Sequence, residues 1–334
     1  MRLADRIAQC QSPLVVENTK DGSVTYLNSA AAFAKDIERC ATRYVLSDEL
    51  TRLCTALAYS KGARTLACTD LLHVPAERVW IEWTEAPWRN ELARYGFKGA
   101  SESVSSGRRG IFIQSNREGR QGLMRTFWTS GESELEVRSS SMEAHFDFDT
   151  QEGDDPATSA PQKRPSYCVS DNAAGKGDIL RRCFRFLFER SWQDYYNGGQ
   201  LTAVQSAAVS HYALGSVAVD IPVVLAFFLL LSTRPNLPRR PLMLERLNRA
   251  RSKSGKARLL DQIEVFSPLP EYRPSNDGFS GIGRRASRLH HVRGHLVRRG
   301  SQIFWRVPHL RGRARSGVIH SRTVTWTIDP HHSA

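Results

Sequence analysis

Alternating apolar and polar positions dominate the first half of the chain. In "RVWIEW" (78–83) Val79, Ile81 and Trp83 fall on one face and predict a strand. "RGIFIQ" (109–114), "GLMRTFWT" (122–129) and "LEVRSSSMEAHFDF" (135–148) predict three more. Ahead of them, residues 31–57 carry the spacing of two helical segments. Ser47, Asp48 and Glu49 in "SDELTRL" (47–53) supply the start signal of the second. Helices followed by closely spaced strands predict a mostly antiparallel sheet packed on those helices.

"DTQEGDDPATSAPQKRPS" (149–166) breaks the pattern with Pro, Ser and acidic residues and reads as an exposed linker. Three helices are predicted beyond it: "GDILRRCFRFLFERSWQDYY" (177–196), "LTAVQSAAVSHYALG" (201–215), and one starting at Asp220, with Pro222 in its first turn. "RPLMLERLNRARSKSGKARLL" (240–260) reads as a short helix running into a basic, mobile loop. After a Gly-rich turn (277–283), residues 289–299 and 302–309 flank Gly300 and Ser301, a two-residue hairpin turn, and "RTVTWTI" (322–328) supplies a third strand. Ile303, Trp305 and Val307 share one strand face, as do Val324, Trp326 and Ile328. The expected class is α+β: a helix-and-antiparallel-sheet domain (1–148), a linker (149–175), a helical middle block (176–260) and a basic three-stranded β module (278–330).

Composition narrows the class further. With 334 residues, 40% of them hydrophobic, and seven Trp and fourteen Phe, the chain has enough apolar surface for a large core, which excludes a disordered protein. The charge-free apolar run from Ile221 to Leu231 falls short of the ~20 residues a bilayer span needs, so it predicts a core helix and no membrane partner. The six cysteines are scattered with no C-x-x-C pair, and the N-terminus lacks the apolar segment of a signal peptide; both point to the cytoplasm.

Charge is unevenly placed. Residues 278–328 hold eleven Arg and no Lys, Asp or Glu (+11), and residues 234–260 hold nine Lys or Arg against Glu245 (+8). Taking both from the net +13 leaves −6 for the rest, so the basicity is confined to the last hundred residues. Such asymmetry predicts a polyanionic partner, nucleic acid in the first instance and RNA above DNA. Guanidinium groups suit this role because they bind phosphate in bidentate fashion and stack on bases.

Catalytic and metal chemistry is poorly represented. His290, His291, His295 and His309 lie close in sequence, but no Cys follows Cys183 and the surrounding charge opposes a dication, so no metal is expected. Arg285 and His290 have the R-x4-H spacing of some helical ribonucleases, yet this segment reads as turn and strand; a cryptic ribonuclease is the third-ranked function. "AAGKGD" (173–178) lacks the first glycine and the Ser or Thr of a phosphate-binding loop. Glu82 and Glu85, near Trp80, Trp83 and Trp88, are either an acid pair in a cleft or, more simply, the exposed edge of a strand. No enzyme activity and no cofactor are expected.

"HHVRGH" (290–295), "FWRVPH" (304–309) and the "TVTWTI" strand resemble the C-terminal module of a phage and mobile-element family that includes an anti-CRISPR protein directed at type V-A effector nucleases. "VPAERVWIEW" (74–83) is similar to a segment in the first half of that family's protein. The resemblance covers about sixty residues. It implies a non-enzymatic inhibitor that lowers effector production by recognising the emerging polypeptide, with Arg293, Gly294, His295, Arg306 and His309 matching the motif. Arg298, Arg299 and Arg311 complete the expected binding set. The leading expectation is a mobile-element regulatory protein that recognises a polypeptide and RNA or a ribonucleoprotein; the alternative is a stand-alone nucleic-acid-binding protein.

Overall fold

The structure is a computed structural model. It describes residues 2–10, 15–18, 25–28, 30–59, 69–97, 107–129, 137–150, 166–167, 178–189, 210, 213–234 and 237–267. In the C-terminal part it describes the strand backbones 288–292, 295–299, 302–306, 309–311 and 313–319, together with the side chain of Arg306. The chain divides into two units, Met1–Pro268 and Leu269–Ala334.

Unit 1 is built on a mixed sheet of ten strands. The four segments with period-two alternation form its centre as β4 (Arg78–Thr84), β5 (Arg108–Ser115), β6 (Gln121–Thr129), β7 (Val137–Ser139) and β8 (Met142–Asp147). One expected strand is therefore two, because Ser140 breaks it: its Oγ accepts the Met142 N–H at 3.1 Å while its own N–H bonds back to Thr126. A short hairpin precedes the sheet, β1 (Val15–Asn18) against β2 (Thr25–Asn28). The sheet also takes in β3 (Thr42–Leu46), β9 (Ser166–Tyr167), β10 (Phe184–Phe188), β11 (Arg239–Leu242) and β12 (Gln262–Val265). Its order is β11-β12-β3-β4-β5-β6-β8-β10-β9, with β7 also on β6. Only the β12–β3 and β3–β4 pairs are parallel; the others are antiparallel. The α+β class holds.

Helices cover both faces. On one lie α1 (Leu3–Ala8) and α2 (Ala34–Arg39), which follows a 3-10 turn at Ala30–Phe33; there Leu3, Ile7, Phe33 and Ile37 close over Trp80, Phe112 and Phe127. Gly110 makes that closure possible, because a Cβ would sit 2.4 Å from the Trp80 indole lying across β5. On the opposite face are Val79, Ile81 and Trp83, all fully buried as their alternation predicts. This side carries α3 (Asp48–Tyr59), α4 (Glu85–Arg94) and, later in the chain than the short α5 (Asp178–Cys183), α6 (Ile221–Thr233). Ser47 caps α3 through its Oγ, which accepts the Leu50 N–H at 3.2 Å. Tyr44 meets Phe227 edge-to-face at 5.3 Å and so ties α6 to the sheet.

The helical run Ala213–Thr233 is long and apolar enough to cross a bilayer, but every residue from Ile221 to Leu230 is buried inside the fold. An all-round apolar helix demands that surrounding. Asp220 stands at the start of α6 as expected, with Pro222 in the first turn, but its carboxylate does not cap the helix. It pairs instead with Arg109 of β5 at 2.8 Å.

The segment 177–196, expected as one helix, is corrected by the structure. Among the described residues of that segment, Asp178–Cys183 are helical, while Phe184, Phe186 and Phe188 alternate along β10, which pairs with β8 and β9; residues 190–196 lie outside the described residues. All five β10 residues, Arg185 included, are buried, so both faces of the strand are hidden there and no exposed polar face marks "FRFLF" as a strand. The expected helical block thus supplies two sheet strands, β10 and β11, beside α6, and β12 follows directly after it. A further strand, β3, lies between the two helices expected at 31–57.

Among the described residues of unit 2 there are five strands, and the two segments expected as single strands at 289–299 and 302–309 are divided: β13 (Arg288–Val292), β14 (His295–Arg299), β15 (Gln302–Arg306), β16 (His309–Arg311) and β17 (Arg313–Ile319). They form a three-stranded sheet, β16-β13-β17, and a β14–β15 hairpin. The expected strand at 322–328 lies outside the described residues.

Candidate nucleic-acid interface

Two basic segments were expected, and each has its own architecture. In unit 2 the β14–β15 register runs from His295↔Arg306 to Arg299↔Gln302, while the turn expected at residues 300 and 301 lies outside the described residues. That register divides the expected binding set. His295, Arg299 and Arg306 share one face of the hairpin, and Arg298 falls on the face of Ile303 and Trp305. Arg306 is exposed. His309 and Arg311 are on β16, opposite Val292 and His290 of β13. Arg293, Gly294 and Arg285 lie outside the described residues.

The second segment forms an arm at the edge of the unit 1 sheet. It runs from β11 through α7 (Glu245–Lys253) and a loop into β12. Between Arg239 and Arg258 it carries eight Lys or Arg against Glu245, a net +7. No residue of α7 is buried, and Arg239, Arg246, Arg249, Lys253, Lys256 and Arg258 are exposed.

The loop after α7 is pinned, which corrects the expectation of a mobile one. Gly255, at φ +65°, ends the helix. Its N–H bonds to Ser252 O and the Lys256 N–H to Arg251 O, the paired closure that a left-handed glycine permits. Asn248 then clamps Leu259 from both sides: its Nδ2 donates to the Leu259 carbonyl and its Oδ1 accepts the Leu259 N–H, each at 2.8 Å. Arg251 Nε donates to Ala257 O at 2.8 Å. Asp261 Oδ1 accepts the Leu244 N–H at 2.7 Å, and Asp5 of α1 accepts the Leu260 N–H at 2.8 Å. Arg240 pairs with Glu264, which also pairs with Arg2. The loop composition, "SKSGKARLL", signals charge; the glycine after a helical run was the legible sign of an ordered stop.

Beside the arm is a groove of about 1110 Å³ between the arm loop, the ends of α1 and α2, and the start of β3. Pro241, Met243, Leu260 and Ile263 give it apolar surface; Gln9, Glu38, Asp261 and Gln262 give it polar groups; Arg39 and Arg258 also line it. Arg43 lies at its inner side with its guanidinium donating to the carbonyls of Ile37, Glu38 and Asp261. Burial lowers the Arg43 pKa, against the pull of Cys40 and Asp261.

Glu82 and Glu85 are neither a cleft pair nor an exposed strand edge. β4 is central in the sheet, and Glu82 is fully buried. It accepts the Leu3 and Ala4 N–H groups at 2.9 and 3.1 Å and the Trp80 indole N–H at 3.1 Å, and pairs with Arg108. Burial would raise its pKa, but the Arg108 charge and the two backbone N–H groups outweigh that and hold it below the ordinary range. Glu85 pairs with Arg89 at 2.7 Å and with Arg109 at 3.6 Å. Arg109 also stacks on Trp88, 4.5 Å from the ring centre. These charges tie α1 and α4 to the sheet. Among the described residues no group of three or more His, Cys, Asp or Glu is placed to hold a metal ion.

No protein-family model, curated protein or solved structure matches the chain.

Proposed function

We propose that the protein binds nucleic acid, RNA in the first instance, without turning it over. The observation that carries this reading is the arm: between Arg239 and Arg258 a net +7 is held on an ordered frame, with Arg239, Arg246, Arg249, Lys253, Lys256 and Arg258 exposed and Glu245 the one acid in that stretch. Glu245 lies 3.7 Å from Arg249 and Glu264 pairs with Arg240, while Arg239, Arg246, Lys253, Lys256 and Arg258 remain exposed. The eleven-arginine stretch of unit 2, with Arg306 exposed on its hairpin, adds a second grip of the same sign. Phosphate neutralisation by such residues is additive, and it releases condensed counterions.

A cytoplasmic setting in a mobile element fits this activity. The family resemblance adds an inhibitory role there, with a polypeptide or ribonucleoprotein as second partner. Partner binding that survives ribonuclease supports that addition.

The test is fluorescence anisotropy of a labelled duplex RNA titrated with the full chain at several salt concentrations. Neutralising ~6 phosphates gives a slope near −5 in log affinity against log salt. Arg246→Glu with Arg249→Glu should make that slope shallower by about two, one for each phosphate that is no longer neutralised. A flat salt response refutes the proposal.

A further inference from the structure

We propose that the groove beside the arm is a subsite for an unstacked nucleobase, so that the arm selects single-stranded over duplex nucleic acid. The inference rests on the nucleic-acid reading of the arm and assigns it a form of ligand. A surface that held phosphates alone would need only cations. This groove instead combines apolar surface from Pro241, Met243 and Leu260 with the amides of Gln9 and Gln262. Such a set suits a base, whose faces are apolar and whose edge carries donors and acceptors.

The carboxylates of Glu38 and Asp261 also line the groove, and they oppose a phosphate inside it while accepting from the amino group of a base. The phosphate chain is thereby directed to the cations at Arg39 and Arg258 and on to Lys256 and Lys253, all four exposed. Met243 is 74% exposed, the most open of the large apolar side chains among the described residues, and Leu247 on α7 is 48% exposed. Their exposure is built in. Met243 is held between β11 and the Leu244–Asp261 hydrogen bond, so its apolar surface is presented by an ordered frame. A paired duplex keeps its bases stacked and has none to offer the groove.

The experiment uses the full chain and its Met243→Lys variant, an exposed position where the substitution leaves the core untouched. The probes are a labelled single-stranded RNA, a single-stranded DNA of the same sequence, their duplexes, and heparin, a polyanion without bases. Met243→Lys adds a cation while removing apolar surface, so charge alone and base capture predict opposite signs. Base capture predicts that the single strand binds more tightly than the duplex. The variant then weakens the single strand about five-fold, the low end for one stacked base, and leaves duplex and heparin unchanged or tighter. Whether RNA or DNA shows the effect identifies the sugar, and either result supports the proposal.

Equal affinity for single strand and duplex, or a variant that binds every polyanion more tightly, overturns it while the nucleic-acid reading stands. Salt-independent or absent binding to all the probes overturns both.

Discussion

Replacing Glu82 by Ala tests how the N-terminal helix is held and, through it, how the groove is built. The carboxylate is fully buried and engages four partners: the Leu3 and Ala4 N–H groups, the Trp80 indole and Arg108. Removing it leaves Arg108, whose side chain is only 15% exposed, without its ion-pair partner, and frees two helix-start N–H groups. Breaking a buried pair by deleting one member costs about 3–5 kcal/mol. The loss should fall first on α1, whose six residues cannot hold a helix unaided. Asp5 of α1 in turn holds the Leu260 N–H, so the disturbance should pass to the arm loop. Hydrogen exchange followed by mass spectrometry should show weaker protection in residues 3–8 and 257–261, with β5 and β6 less affected. Glu82→Gln, which keeps an acceptor but removes the charge, should lie between. Because the folded pKa of Glu82 is depressed, its contribution is present above the unfolded value of about 4.3 and is lost as pH falls through the folded value. A destabilisation below about 1 kcal/mol, the range of an exposed pair, with unchanged protection of α1 would refute the argument.

Asp220 carries the opposite pH signature. Burial raises its pKa to about 6, against Arg109 and with Glu85, so the folded state binds more protons than the unfolded state between about pH 4 and about 6. Its contribution to stability therefore falls as pH rises through that window, and the difference between wild type and Asp220→Asn in denaturant unfolding should show that slope; parallel profiles would contradict it. Asn248→Ala removes both hydrogen bonds that clamp Leu259 and should cost about 1–3 kcal/mol, confined to the arm. The readout is faster exchange at residues 255–260 with an unaltered sheet, and exchange at the wild-type rate would show that the clamp is dispensable.

The central strands were legible because β4, β5, β6 and β8 alternate, and the start of α6 because Asp220 and Pro222 mark it. Where the alternation was hidden, the reading failed. In β10 the intervening Arg185 and Leu187 are buried along with the phenylalanines, so no polar face announced a strand. β11 and β12 are four residues each, too short for periodicity to register, and β12 is placed by a parallel pairing with β3 more than two hundred residues away. Glu82 misled for the converse reason. A carboxylate beside tryptophans looks like a surface residue, and only the fold reveals that α1 supplies the N–H groups that make its burial tolerable. On the functional side, charge marked both basic segments, but the division of His295, Arg299 and Arg306 from Arg298 follows from the hairpin register.

The arm ends the sheet, and the way it does so decides what kind of partner it takes. An open edge strand is a template for another strand. In β11 the register pairs Arg240 with Glu264, and Phe266 N–H bonds to Pro238 O at 3.0 Å, so the main-chain groups of Arg239 and Pro241 face outward. Pro241 has no N–H to give, and the exposed Arg239 beside it is a charge of the kind that blunts edges. Strand addition is therefore disfavoured here, and what the arm presents outward is side chains: the positive charge of arginines and lysines, and the apolar surface of Met243 and Leu247. A partner that supplies both, spaced a few ångströms apart along a flexible anionic chain, matches this surface better than one that offers only a strand or only charge.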